Sequence, residues 1–334
     1  MAKKIRCAVL GASGYIGGEV VRLLLSHPQV DLVGVTANEN AGARLDELQP
    51  NLRGLSSLVF EKELKAEADA YFLSLPHGGA QSAAPKLPAK ARIIDLSGDF
   101  RLDDRAAWEK AYKLTHNAWE MKPQFTYGIP EINRSRIRES RAVAVGGCFA
   151  SCAILSAWPL VKEGIAAGTI VIDGKTGSSG SGNKPGDKTH HPWRAGAFYA
   201  YETFHHRHVP EIRQALGGHD ILFQPHSAPM VRGVFTTSYV PLKREMSDDD
   251  VLALFRKTYE GERFVRVTKG TTNVAHVRLS NYIDLGVAAN GKTAIVFGAI
   301  DNLVKGGAGQ GVQCFNVMFG LEEEAGLTAA PALV

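Results

Sequence analysis

The chain has 334 residues, 45% hydrophobic and 22% charged, which is long for one domain and ordinary for a globular protein with a sizeable core. Its formal net charge of +4, without a run of five or more like charges, makes no electrostatic case for a nucleic-acid partner. No signal-peptide core opens the chain and no apolar run reaches the ~18 residues of a membrane span, so a soluble cytoplasmic protein is expected.

Cysteines at 7, 148, 152 and 314 fit neither a disulfide framework nor a spaced zinc site. In chain order, Ile5–Leu10 predicts an apolar strand running into Gly11-Ala12-Ser13-Gly14-Tyr15-Ile16-Gly17-Gly18. Helical periodicity follows over Glu19–Leu25, then a second strand over Val30–Thr36. The glycines at 11, 14 and 17 depart from the commonest dinucleotide spacing but sit where a βαβ unit brings backbone N–H groups to a pyrophosphate. Gly11, Ser13, Gly14, Tyr15 and Ile16 are therefore expected cofactor contacts, a purely structural turn being the bland alternative. The second strand ends Thr36-Ala37-Asn38 with no acid, and Arg44 lies downstream. Thr36 and Arg44 suit a 2′-phosphate, so NADP(H) is expected over NAD(H). The next strand, Ala70–Leu75, runs into Pro76-His77-Gly78-Gly79, where Pro76 is a further expected cofactor contact. After Arg92–Leu96, Arg101 reads either as a bidentate anion clamp or as a surface ion pair with Asp99, Asp103 or Asp104.

A strand over Arg141–Val145, the Gly146-Gly147 turn and Cys148 opening an Ala- and Leu-rich helix make the central motif. A helix N-terminus favours a thiolate, and glycines let backbone N–H groups approach a developing oxyanion. A small buried structural cysteine remains the alternative. A strand at Thr169–Gly174 opens into a long polar, glycine-rich stretch over 175–192. His190 and His191 lack companion ligands, so no metal is expected. His206 and His208 offer acid/base chemistry near neutral pH, and only one of them need face the cysteine. Strands at 220–223, 233–240 and 263–267, with one helix from Ser247, predict an α+β second domain whose mainly antiparallel sheet could serve a subunit contact. The expected fold is thus an α/β Rossmann-type domain over 1–147, rejoined by a C-terminal helix over 302–334, with a catalytic and oligomerisation domain over 148–301.

Across nearly its whole length the chain resembles the N-acetyl-γ-glutamyl-phosphate reductases, relatives of aspartate-semialdehyde dehydrogenase. The motifs stand in order: Gly11–Glu19, Leu75-Pro76-His77-Gly78, Asp95–Leu102, Tyr127–Glu131, Gly147-Cys148, His206–Glu211 and Asp301–Gly306. The resemblance implies NADPH-dependent reduction of a small-molecule acyl phosphate through a thioester on Cys148, with His208 as acid/base. It implies that His206, Arg207 and Glu211 orient that base or bind substrate, that Arg101 takes the phosphate, and that Asn302 holds the nicotinamide carboxamide. A homodimer or homotetramer is expected. Phe149-Ala150-Ser151 departs from the aromatic-Pro-Thr that many members carry after the cysteine. The stretch over 177–196 and Pro50–Gly54 look more like the branch that acts on aminoadipyl or glutamyl phosphate linked to a small acidic amino-group carrier protein. Lys175, Lys184, Lys188 and Arg194 would suit such a carrier, and a solvated basic loop is the plain alternative.

Overall fold

The structure, a computed structural model, describes residues 3–333 apart from the side chain of Lys188. The chain forms two units: Met1–Gly146 with Gly307–Thr328, and Gly147–Gly306 with Ala329–Val334. Residues 302–306 and 329–333 thus cluster with the second unit, where the sequence reading assigns all of 302–334 to the first.

The first unit runs β1 (Ile5–Leu10), α1 (Tyr15–Leu25), β2 (Val30–Thr36), α2 (Leu45–Leu48), β3 (Phe60–Glu61), β4 (Ala70–Leu73) and α3 (Gly79–Ala83). It continues through β5 (Arg92–Asp95), α4 (Arg105–Tyr112), β6 (Phe125–Gly128), α5 (Pro130–Glu139) and β7 (Ala142–Val145). All seven strands are parallel, in the order β3-β2-β1-β4-β5-β7-β6. Strands β4, β6 and β7 are buried along their whole length, as a parallel sheet covered on both faces requires. Phe100 stacks on Phe125 at 3.9 Å in the core that also holds Tyr71 and Ile93.

The second unit runs α6 (Cys148–Lys162), β8 (Ile170–Thr176), α7 (His191–Arg194), β9 (Tyr199–Ala200), α8 (Val209–Ala215), β10 (Ile221–Ser227) and β11 (Val234–Pro241). Then come α9 (Asp248–Thr258), β12 (Val265–Lys269), β13 (Ile283–Asn290) and β14 (Thr293–Ile300). After a π-helical turn at Val304–Ala308 the chain ends its helices in the first unit with α10 (Gly309–Phe319), which packs on α1 and α5. Phe315 of α10 lies 5.7 Å from the ring of Phe72.

The second sheet has the order β12-β13-β14-β11-β8-β10-β9. It is antiparallel from β13 through β14 and β11 to β8, and again at β10–β9, but parallel at β12–β13 and β8–β10. The sheet is therefore mixed, with an antiparallel centre. Burial alternates residue by residue along β8, because one face packs on helices and the other is open. Leu222 and Tyr239 remain 39% and 41% exposed. α9 starts where its sequence directs, with the Ser247 hydroxyl accepting from the Asp250 N–H at 3.2 Å. The polar stretch after β8 is less irregular than its composition suggests: it holds short 3-10 turns at Ser178–Ser181 and Asp187–Thr189, then α7. Among the described residues no helix is long and apolar enough to cross a membrane.

Candidate active site

The strand order of the first sheet reverses between β1 and β4, and a parallel sheet binds ligands beyond its strand ends at such a point. The glycine turn lies there, and its glycines do different work. Gly11 has φ +80°, and a Cβ on it would stand 2.3 Å from the Ser74 carbonyl oxygen. A Cβ on Gly17 would stand 2.3 Å from the Gly11 carbonyl oxygen, so helix and turn touch through bare backbone. Around Gly14, the N-cap of α1, a Cβ would meet nothing within 4 Å. That open side, at the positive end of an 11-residue helix, is room for a pyrophosphate. Tyr15 is the first helical residue and 48% exposed, and Ser13 and Ile16 are half-buried beside it.

Thr36 is drawn into the turn, its Oγ1 accepting from the Gly11 N–H at 3.3 Å and its carbonyl from the Ala12 N–H at 2.9 Å. Arg44 is exposed, but its guanidinium binds Asp46 through Nε and Nη2, both at 2.9 Å. It would have to share or leave that acid to meet a 2′-phosphate.

The turn carrying Pro76 is fastened from the loop that follows β5. The Asp99 carboxylate accepts from the N–H groups of Gly78 and Gln81 at 2.8 and 3.0 Å, and His77 Nδ1 accepts from Gly98 at 3.2 Å. Asp95, fully buried, accepts from the Ser97 N–H at 2.8 Å. Burial, with the Asp99 charge second, pushes its carboxyl well above the usual carboxylate range. Arg101 is no surface ion pair. It is buried, donating from Nε to the Val145 carbonyl at 2.8 Å and from Nη2 to the Leu96 carbonyl at 3.4 Å, at the ends of β7 and β5.

In the second unit, Cys148 is the first residue of α6 and the only half-buried cysteine, the other three being buried. Burial pushes the Cys152 thiol up to about 12, and that of Cys7 up as well. The backbone just before Cys148 is held from α8: Gly147 N–H donates to Glu211 Oε1 at 2.8 Å, and Glu211 is 1% exposed. A Cβ on Gly306 would stand 2.7 Å from the Cys148 Cβ, so only glycine fits there.

His208 precedes α8 and His206 lies two residues back, both buried, with rings 4.8 Å apart. Phe149, next to the cysteine, lies 5.8 Å from the His206 ring and 6.5 Å from that of His208. The His208 N–H donates to His206 Nδ1 at 3.2 Å. Burial, and then the neighbouring Arg207 charge, push His206 down to about 3, so its ring is neutral at pH 7. Arg207 itself is exposed.

Asn302 is buried and doubly engaged, with Nδ2 donating to Ser179 Oγ at 3.0 Å and Oδ1 accepting from the Gly233 N–H at 2.7 Å. It ties the polar stretch after β8 to the turn before β11. Asp301 beside it takes Arg232 through Nε and Nη2 at 3.0 and 3.2 Å. Among the described residues no group of His, Cys, Asp and Glu is arranged to hold a metal, and His190 and His191 stand at the start of α7. Sequence reasoning assigned no site role to Asp99, Ser179 or Gly306, although Asp99 and Gly306 stand inside two of the ordered motifs. The signals available were the polar strand-end loop for Asp99 and the Asp301–Gly306 motif for Gly306.

A family model described as "Semialdehyde dehydrogenase, NAD binding domain" matches residues 6–140, and one described as "Semialdehyde dehydrogenase, dimerisation domain" matches 148–302. The N-acetyl-gamma-glutamyl-phosphate reductase of Methanosphaera stadtmanae is 42% identical, covering 97% of each chain. That of Laribacter hongkongensis is 40% identical over 98% of this chain and 99% of its own. The chain belongs to the N-acetyl-γ-glutamyl-phosphate reductase family. The solved structure of aspartate semialdehyde dehydrogenase II from Vibrio cholerae is 14% identical, with a TM-score of 0.74 over 96% of this chain and 99% of that one, and shares its fold. Cys148 is the first residue matched by the dimerisation-domain model and Asn302 the last. Membership of the reductase family thus spans both the glycine turn and the cysteine helix.

Proposed function

We propose that the chain reduces N-acetyl-γ-glutamyl phosphate to N-acetylglutamate semialdehyde with NADPH, releasing inorganic phosphate, a step of arginine biosynthesis. The observation that carries this is the half-buried Cys148 opening α6, with its preceding backbone N–H held by the buried Glu211. Backbone N–H groups and the positive end of a helix favour an anion at that point.

Cys148 Sγ attacks the acyl carbon. The carbon–sulfur bond forms as the bond from that carbon to the phosphate oxygen breaks, and phosphate leaves with the electron pair, so a thioester remains on the enzyme. His208 takes the thiol proton and returns one as negative charge gathers on the acyl oxygen. His206, neutral and bonded to the His208 backbone, fixes that histidine's position. The N–H groups of the first turn of α6 receive the oxyanion. Arg207, exposed, is the cation for the departing phosphate. Arg101 and Asn302, bound to their own backbone and side-chain neighbours, shape the strand ends and the Ser179 turn.

The glycine turn fits a dinucleotide: Gly11 and Gly17 allow its close backbone contacts, and Gly14 leaves the side open. Gly11, Ser13, Gly14, Tyr15, Ile16 and Pro76 would hold the nicotinamide cofactor, which supplies the hydride when bound. The lack of an acid at the tip of β2 supports NADPH over NADH. A thiol nucleophile outside any disulfide suits a reducing, cytoplasmic compartment. The open face of the second sheet, with Leu222 and Tyr239 exposed, supports self-association, which light scattering would measure.

The test is the reverse reaction, NADPH formation from N-acetylglutamate semialdehyde, phosphate and NADP⁺. A Cys148→Ala variant loses ~10³-fold or more if the thioester route operates. Equal rates in wild type and variant overturn the mechanism. A wild type that is idle on the free substrate but active on a carrier-linked acyl phosphate overturns the substrate assignment.

A further inference from the structure

Between α2 and the 3-10 turn Pro50–Leu52, the Gln49 side chain reaches back to the glycine turn and donates from Nε2 to the Ala12 carbonyl at 2.8 Å. That carbonyl can only accept, so the amide nitrogen must face it. A trans peptide carries its C=O and N–H on opposite sides. Holding the Ala12 oxygen on one side therefore fixes the Ser13 N–H on the other, away from Gln49. The same amide explains the second glycine of the Gly17-Gly18 pair. A Cβ on Gly18 would stand 2.8 Å from Gln49 Nε2, so α1 is bare there to admit the glutamine.

We infer that Gln49 is a positioning residue for dinucleotide binding: it sets the Ala12–Ser13 peptide so that the turn presents N–H groups to the pyrophosphate. This rests on reading the glycine turn as a dinucleotide site. Gln49 makes no contact with the 2′-phosphate in this account. Its contribution is common to NADPH and NADH, unlike that of Arg44.

The experiment titrates NADPH and NADH separately into wild type, Gln49→Ala, Gln49→Glu and Gly18→Ala, following nucleotide fluorescence. Loss of one such hydrogen bond raises Kd about 3- to 10-fold, by the same factor for both nucleotides. Gln49→Glu is weaker still, since a carboxylate repels both the carbonyl and the phosphates. Gly18→Ala, whose methyl needs the space of the amide, reproduces the alanine effect. In turnover the loss appears in KM for the nucleotide rather than in kcat, a split that general destabilisation would not produce. Unchanged Kd in Gln49→Ala and Gln49→Glu overturns the inference while the dinucleotide reading stands. A loss confined to NADPH also overturns it, because it would place Gln49 with the 2′-phosphate. A wild type that binds neither nucleotide overturns the dinucleotide reading itself.

Discussion

Removing the carboxylate of Glu211 tests whether the cysteine turn is held from α8. The Gly147 N–H has that buried carboxylate at 2.8 Å, and hydrogen bonds to charged groups contribute about 1.5–3 kcal/mol. Glu211→Ala leaves the N–H without this acceptor in a site where Glu211 is 1% exposed, so water cannot replace it cheaply. If the whole effect falls on placing Cys148 Sγ, 1.5–3 kcal/mol corresponds to a loss of roughly 10- to 150-fold in kcat/KM for the acyl substrate. Glu211→Gln keeps an acceptor oxygen of the same reach and should stay within about 10-fold of wild type. KM for the nucleotide should not move in either variant. The assay is the reverse reaction at saturating nucleotide, with circular dichroism to show that each variant is folded. A folded Glu211→Ala enzyme with wild-type kcat/KM would refute the reasoning.

Two further perturbations separate other parts of the argument. Gly14→Ala, whose methyl meets nothing within 4 Å, should leave the thermal midpoint almost unchanged yet weaken nucleotide binding, whereas Gly17→Ala should lower the midpoint, since its methyl falls 2.3 Å from the Gly11 oxygen. Calorimetry of both variants with and without nucleotide checks the contrast, and equal midpoints would undo it. Burial pushes the His206 ring down to about 3 from the ordinary histidine range near 6.5, so below pH 6.5 the unfolded chain takes up a proton that the native ring refuses. Stability is therefore lost as pH falls from 6.5 toward 3, by about 2 kcal/mol between pH 7 and pH 5 from this group. Urea midpoints of wild type and His206→Asn at the two pH values should converge on acidification, and parallel behaviour would contradict the burial argument.

Local chemistry made the β1–turn–α1–β2 unit and the cysteine helix legible. An apolar strand, a glycine turn and 3.6-residue periodicity are all written within about thirty residues. β13 was not legible in the same way, because Gly286, Ala288 and Ala289 carry little strand propensity and the strand is fixed by partners on both sides. Its better signal was Gly291, at φ +57° in the two-residue link to β14. The His206–Glu211 motif marked the right residues, but that Glu211 serves the Gly147 N–H is a contact across 64 positions that periodicity cannot encode. Asn302 and Arg101 show the same limit. Their residue types suit ligands, and the bonds they make to Ser179, Gly233 and strand-end carbonyls come from tertiary neighbours that the local sequence does not encode. Gln49 immediately precedes the Pro50–Gly54 feature, but nothing local to it points to the Ala12 carbonyl.

The first unit is interrupted in sequence: α10 completes it, yet α10 is translated only after Gly147–Gly306, the main segment of the second unit. That helix is buried along most of its length, with Gln313 bound to Glu131 at 3.0 Å and Asn316 to His27 at 3.0 Å. On the ribosome, about 170 residues separate β7 from the end of α10, so at 5–20 residues per second α1 and α5 wait roughly 10–35 s for their covering helix. Through that interval Phe72 lacks the cover of Phe315. A nascent chain stalled before residue 307 would accordingly be a chaperone client, although the Gly147–Gly306 segment of the second unit would already be made.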